Sequence, residues 1–135
     1  MQGHYGDAEP LLRRALAIDE KVLGPEHPNV ALYLCNLGEL LKSQGDYAGA
    51  ETLERRALAI DEKALGPEHP DLALRLSNLA WLLQWDGDFA GAGALYRRAL
   101  AIDEKALGTT NPTTQRIRKS LESLNSLMSP QSSKK

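Results

Sequence analysis

A 42-residue internal repeat constrains the fold of this chain more than any other feature. Residues 11–28 (LLRRALAIDEKVLGPEHP) and 53–70 (LERRALAIDEKALGPEHP) differ at two positions only, Leu12/Glu54 and Val22/Ala64, and their offset is 53 − 11 = 42. A further step of 42 reaches residues 95–112 (LYRRALAIDEKALGTTNP), where the helix-like part is kept and the loop changes. A fixed period means that the fold is built from copies of one small unit.

Each unit contains two amphipathic helical segments. Residues 34–50 (LCNLGELLKSQGDYAGA) match residues 76–92 (LSNLAWLLQWDGDFAGA), and their leucines recur at i, i+3, i+6 and i+7, on one helical face. In the segment that follows, apolar residues recur at intervals of four, three and four. Glycines stand where these helices should end, and prolines stand where they should begin. We predict helices at about 7–23, 28–44, 47–65, 70–86, 89–107 and 112–127.

The repeat predicts an all-α fold, an α-solenoid of stacked antiparallel helix pairs with about six helices. Short turns make successive helices antiparallel, and each pair leaves an apolar face that a neighbouring pair has to cover. The predicted solenoid spans residues 1–128, and a polar tail follows at 129–135. Within it we expect a half repeat at 3–24, full repeats at about 28–66 and 70–108, and a capping helix at 112–127.

Charge and composition exclude several classes of function. Residues 1–108 carry 11 basic and 17 acidic side chains (−6), and residues 109–135 carry five and one (+4). An acidic body argues against nucleic acid, which needs clustered basic residues. No apolar run approaches the roughly 18 residues of a membrane span, so we expect no membrane association. Cys35 is the only cysteine, which favours a reducing, cytoplasmic setting.

Repetition also argues against a catalytic centre, because almost every polar group appears again 42 residues later. No nucleophile comes with a placed base, and acidic pairs such as Asp61-Glu62 should lie on a helix exterior. His27 and His69 each occur in a Gly-Pro-Glu-His-Pro loop, one per repeat, where a turn or capping role is favoured. We therefore expect that the chain is not an enzyme and that it has no cofactor and no metal site.

The repeat resembles the tetratricopeptide motif. The resemblance rests on Leu34-x-x-Leu37-Gly38-x-x-Leu41, on Gly45-Asp46-Tyr47 and on the small residues Ala50 and Ala57, with equivalent residues in the next copy. The period exceeds the common one of about 34 residues because the second helix is longer. This longer unit, with its Arg-Arg-Ala-Leu and Leu-Gly-Pro-Glu-His-Pro signatures, is similar to the kinesin-light-chain class. Covering about residues 3–112, the resemblance implies a scaffold that binds a peptide or partner protein in a concave groove.

The resemblance also implies that the first helix of each pair lines the groove. The positions expected to face it are Cys35, Asn36, Glu39, Lys42, Ser43, Ser77, Asn78, Trp81 and Trp85. Our candidate partner-binding residues are Asn36, Glu39, Lys42, Asn78, Trp81 and Trp85, with Lys119 on the capping helix.

Asn36 and Asn78 occupy equivalent places, and an amide can both donate to and accept from an extended peptide backbone. The alternative is an Asn that bridges adjacent helices. Trp81 and Trp85 are i, i+4 neighbours and would form an amphipathic anchor of the kind found in binding hot spots. Here the alternative is that one of the two belongs to the core.

The chain begins inside a unit, because its first block aligns with the second helix of a repeat. The matching first helix does not precede it, so we expect an uncovered face that includes Tyr5, Leu12 and Leu16. Two interpretations remain open. The chain is a segment of a longer array, or this face pairs with another copy and makes the chain an oligomerisation module.

Overall fold

The structure is a computed structural model that describes residues 3–128, with side chains described for residues 8–128. It consists of six α-helices: α1 (Gly3–Leu23), α2 (Pro28–Ser43), α3 (Tyr47–Leu65), α4 (Asp71–Trp85), α5 (Phe89–Leu107) and α6 (Pro112–Met128). No strand occurs within residues 3–128. The predicted all-α fold class and the predicted order of helices are therefore confirmed. The polar tail at 129–135 and the side chain of Tyr5 lie outside the described residues.

Glycine ends the helices where the sequence predicts it. The glycines that follow the first five helices have φ values between 86° and 98°: Gly24, Gly45, Gly66, Gly87 and Gly108. A side chain with a Cβ pays a steric cost in this left-handed region, so glycine allows the chain to reverse directly after a helix. These reversals explain how each helix is connected to the next by only a few residues.

Side-chain caps begin the helices. The carboxylates of Asp46 and Asp88 accept hydrogen bonds from the backbone N–H groups of Gly49 and Gly91, each at 2.9 Å. At the starts of α2 and α4, His27 Nδ1 accepts from the Asn29 N–H at 3.0 Å, and His69 Nδ1 accepts from the Asp71 N–H at 3.1 Å. Such caps satisfy donors that have no partner inside the helix. The predicted capping role of the two histidines is confirmed.

The helices form two compact units, one ending at Pro67 and the other beginning at Glu68. In the first unit, α2 packs against both α1 and α3. Its core contains Leu16, Val30, Leu34, Leu37 and Ile60. In the second unit, α5 packs against both α4 and α6. The repeat limits 3–24, 28–66 and 70–108 stay a prediction.

No helix among residues 3–128 combines the length and the apolar character that a membrane crossing requires.

Acidic residues of the second helices are buried, contrary to prediction. Asp61 and Asp103 occupy equivalent positions, and both are buried instead of lying on the exterior. In the second unit, the hydroxyl of Thr114 donates to the backbone carbonyl of Asp103 at 3.4 Å, so the start of α6 lies over this part of α5. Asp103 follows the core residue Ile102 along α5, but the sequence does not show that its side chain is buried. The position of α6 over this part of α5 explains why water is excluded from Asp103.

Asp103 should make the stability of the chain depend on pH. Burial raises its pKa above the ordinary value of 3.8, so the folded state binds this proton more tightly than the unfolded state. The free energy of unfolding should then fall as pH rises from that ordinary value through the raised pKa. We expect Asp103→Asn, which removes the charge and keeps the shape, to be more stable than the parent chain above this interval.

Urea unfolding of both proteins at neutral pH and at about pH 3 measures this difference. The stabilisation by Asp103→Asn should be present at neutral pH and small in acid, where the parent Asp103 is protonated. A difference of the same size at both pH values would contradict the assignment.

Candidate functional site

An exposed stripe runs along α4. Leu74, Asn78, Trp81 and Trp85 follow the spacing i, i+4, i+7 and i+11, which places them on one helical face over roughly 16 Å. Leu74 and Trp85 are exposed, and Asn78 and Trp81 are half-buried. The opposite face carries the buried leucines Leu76, Leu79, Leu82 and Leu83. Because these leucines face the core, the stripe is turned outward.

The two tryptophans of the stripe lie against each other. Their ring centroids are 5.5 Å apart and the ring planes are inclined at 51°. This separation falls within the range of favourable aromatic pairs. Trp85 is 60% exposed, so the pair presents a large apolar surface to solvent.

A surface cleft continues from the stripe at the end of α4. It has a volume of about 270 Å³ and is lined by Gln84, Trp85, Phe89 and Leu127. Leu127 is exposed beside it, near the end of α6. Neither Phe89 nor Leu127 is among the site residues predicted from the sequence. Leu127 could have been found, because α6 needs only Ile117, Leu121 and Leu124 for its inner stripe.

The equivalent stripe on α2 is more polar. It contains Leu32, Asn36, Glu39 and Ser43, all of them exposed. The Glu39 carboxylate lies 3.8 Å from the Lys42 ammonium group, and the Ser43 hydroxyl donates to the Glu39 carbonyl at 3.0 Å. The predicted residues Asn36, Glu39 and Lys42 are thus close together on this helix, although Glu39 and Lys42 offset each other's charge.

Leu32 and Leu74 belong to these stripes but were missed in the sequence analysis. Both are large, exposed apolar side chains, and each precedes the stripe asparagine by four residues. Their recurrence at the repeat offset was the available signal. They lie off the i, i+3, i+7 line of core leucines that begins at Leu34, so no core position accounts for them.

Cys35 does not face the predicted groove, and that expectation is wrong. Its side chain is buried, and its thiol donates to Glu54 Oε1 at 3.5 Å. Glu54 is itself buried on α3, and its Oε2 lies 3.1 Å from the point that a Cβ on Gly38 would occupy. The missing side chain of Gly38 therefore makes room for this carboxyl. The sequence contains one indication of this buried contact. Glu54 is an acid at the repeat position where the other copies have Leu12 and Tyr96.

Lys119 lies apart from the stripes. It is exposed on α6. Its repeat position corresponds to that of Cys35 and Ser77, whereas the stripe asparagines, Asn36 and Asn78, are one position further along the repeat. Its part in partner binding stays a prediction.

The N-terminal face differs from the one predicted. Leu16 is buried in the core of the first unit, and Leu12 is partly buried against that core. Leu16 therefore does not belong to an open face, because α1 packs against α2 on that side. Among the described side chains of α1, the large apolar ones that are exposed are Leu11, Ile18, Val22 and Leu23. Tyr5 has its side chain outside the described residues.

Within the described part of the chain, no three histidine, cysteine, aspartate or glutamate side chains are grouped so that they could hold a metal ion.

Comparison with known proteins identifies the family. A model of the tetratricopeptide repeat matches residues 1–63 and 55–105. The crystal structure of nearly identical TPR-like repeats from a kinesin light chain-like protein of Podosopora anserina aligns with a TM-score of 0.82 and 28% identity. This alignment covers 91% of this chain and 58% of that one.

A second solved structure shows the same fold. The crystal structure of BtubC (BKLC) from P. vanneervenii aligns with a TM-score of 0.81 and 24% identity, over 90% of this chain and 49% of that one. The chain thus spans 49% to 58% of the length of these solved chains. Comparison with the curated proteins gives no match. The chain belongs to the tetratricopeptide repeat family, and its structural neighbours include proteins of the kinesin light chain type.

Proposed function

We propose that this chain is a binding module that holds an extended apolar segment of a partner protein along the α4 stripe and its adjoining cleft. Tetratricopeptide repeats generally mediate protein–protein interactions, and the family is typically non-enzymatic. The observation that supports the α4 stripe as the binding site is the exposed Trp85, which contacts Trp81 on a helix whose other face is buried. A rigid aromatic surface of this kind loses little entropy when a partner covers it.

The side chains of the stripe define the kind of segment that fits. Leu74 and the two tryptophans offer apolar contacts, and the Asn78 amide can donate to one backbone group of an extended peptide and accept from another. The cleft beside Trp85 is small enough to take a single large apolar side chain of the partner. We therefore expect a partner segment that is extended, apolar and anchored by one bulky residue.

The α2 stripe belongs to the first unit and is more polar than the α4 stripe. Asn36 repeats the position of Asn78, whereas Glu39 and Ser43 replace the two tryptophans. We propose that Asn36, Glu39 and Lys42 contact a partner protein through the polar groups of this stripe, within the first unit.

The chain carries its own probe for this proposal, because Trp81 and Trp85 are its only tryptophans. Peptides selected from a library by the parent chain should change the intrinsic tryptophan emission on binding. Trp81→Ala and Trp85→Ala should each weaken binding by at least about tenfold, as expected for a hot-spot residue. Both variants should stay folded, since Trp85 is exposed and Trp81 only half-buried.

Leu107→Ala is the matched control for these substitutions. Leu107 is an exposed apolar residue at the far end of α5, about 27 Å along the helix from Phe89. Its substitution should leave affinity unchanged. Selected peptides that bind both tryptophan variants as tightly as the parent chain would exclude the α4 stripe as the site.

A cytoplasmic setting is also part of the proposal. Cys35 is the only cysteine and its thiol is buried, so the fold is independent of disulfide formation. Fractionation of cells that express the tagged protein tests the location.

A further inference from the structure

One face of α1 is exposed although its equivalents in the other repeats are covered. Ile18 is 58% exposed, whereas Ile60 and Ile102, at the same repeat position, are 5% and 6% exposed. Ala15 is half-buried, whereas its equivalents Ala57 and Ala99 are fully buried. The identical residues of α1 therefore lack a cover that α3 and α5 possess.

The nature of that cover is visible within each unit. α2 packs against α3, and Ile60 shares a core with Leu34 and Leu37 of α2. In the second unit, α4 packs against α5 in the equivalent position of the repeat. Both covering helices carry the pattern Leu-x-x-Leu-small-x-x-Leu on the buried face: Leu34, Leu37, Gly38 and Leu41 in α2, and Leu76, Leu79, Ala80 and Leu83 in α4.

The uncovered surface has a defined limit. Val22 is exposed on α1, but its equivalents Ala64 and Ala106 are exposed too, so no helix covers this position in any copy. Leu11 is exposed, and its equivalents Leu53 and Leu95 are half-buried. The surface that lacks its cover consequently comprises Leu11, Ala15 and Ile18, and excludes Val22.

We propose that Leu11, Ala15 and Ile18 form a docking surface for one amphipathic helix with the pattern Leu-x-x-Leu-small-x-x-Leu, bound antiparallel to α1. The repeat supplies the argument, since the same surface binds such a helix in both units of this chain. The small residue would lie opposite Leu12, which is partly buried at the edge of this surface, in the way that Gly38 lies against Glu54. Leu12 replaces the buried carboxyl with an apolar side chain, so the docking helix needs no polar partner there.

The test uses the α2 sequence as a ligand for the whole chain. A labelled peptide of residues 28–44, carrying Cys35→Ser to prevent disulfide formation, is titrated with the chain and followed by fluorescence anisotropy. Hydrogen exchange of the α1 amides is followed in parallel. Binding should saturate and slow exchange in α1. A peptide with Leu37→Gln and Leu41→Gln keeps similar helix propensity and should not bind.

Two matched substitutions in α1 locate the site. Ile18→Lys should weaken peptide binding by at least about tenfold, because it places a charge at the residue whose exposure differs most from that of its equivalents, Ile60 and Ile102. Val22→Lys introduces the same charge one turn away and should leave binding unchanged. Both residues are exposed, so circular dichroism of the two variants should match that of the parent chain.

The other outcomes would overturn the proposal. Absence of saturable binding, or equal binding to Ile18→Lys and the parent chain, would show that this surface does not take such a helix. A dimer of the chain that Ile18→Lys dissociates and the peptide does not displace would instead assign the surface to a second copy. None of these results depends on Trp81 or Trp85, so failure here is distinguishable from failure of the proposed function.

Discussion

Ile60→Ala is expected to lower the free energy of unfolding by about 2–5 kcal/mol, whereas Ile18→Ala should change it by less than about 0.5 kcal/mol. Residues 13–21 and 55–63 have the same sequence, RRALAIDEK, so the two substitutions have the same local context. Ile60 lies in a core with α2 residues, and its truncation leaves a cavity that its neighbours fill only in part. Ile18 is exposed, and its truncation removes few contacts.

Urea unfolding followed by circular dichroism measures both effects, and Ile102→Ala supplies a third copy of the comparison. Ile102 is buried in the second unit and should behave like Ile60. Equal losses at residues 18 and 60 would show that α1 is covered in solution. A negligible loss at residue 60 would contradict the packing of α2 against α3.

Leu124→Ala should also destabilise the chain by about 2–5 kcal/mol, and Leu127→Ala should have little effect on stability. Leu124 is fully buried on α6, and its Cδ2 lies 3.6 Å from the position that a Cβ on Gly93 would occupy. A Cβ at Gly93 would make an ordinary van der Waals contact with Leu124, so α6 packs directly on α5 at this point. Leu127, one turn further on, is 53% exposed.

The same pair of variants separates folding from binding. Thermal and urea unfolding should rank Leu124→Ala well below Leu127→Ala, which should unfold like the parent chain. Leu127 lines the cleft beside Trp85, so its substitution should still weaken the binding of a partner's anchor residue. If Leu124→Ala unfolds at the parent's urea concentration, α6 does not close the core of the second unit.

Much of the helical structure could be predicted because its causes are local. The leucine spacing around Leu34 and the glycine at each turn depend on neighbours within a few residues, and both recur at a visible offset. The tryptophan pair could be found for the same reason, since i, i+4 residues share a helical face. Cys35 was misplaced because its burial depends on Glu54, nineteen residues and one helix away, and on the space that Gly38 leaves for the Glu54 carboxyl.

The sequence by itself determined the helices, their ends and the family to which the repeat belongs. Hydrogen bonding within a helix, capping and φ preferences all act over a few residues, so identical strings form identical elements. The sequence also predicted an uncovered face on α1, but only the tertiary structure decided which of its residues are exposed. RRALAIDEK is helical in both copies, yet Ile60 is buried and Ile18 is exposed, because burial depends on a helix that packs from elsewhere in the chain.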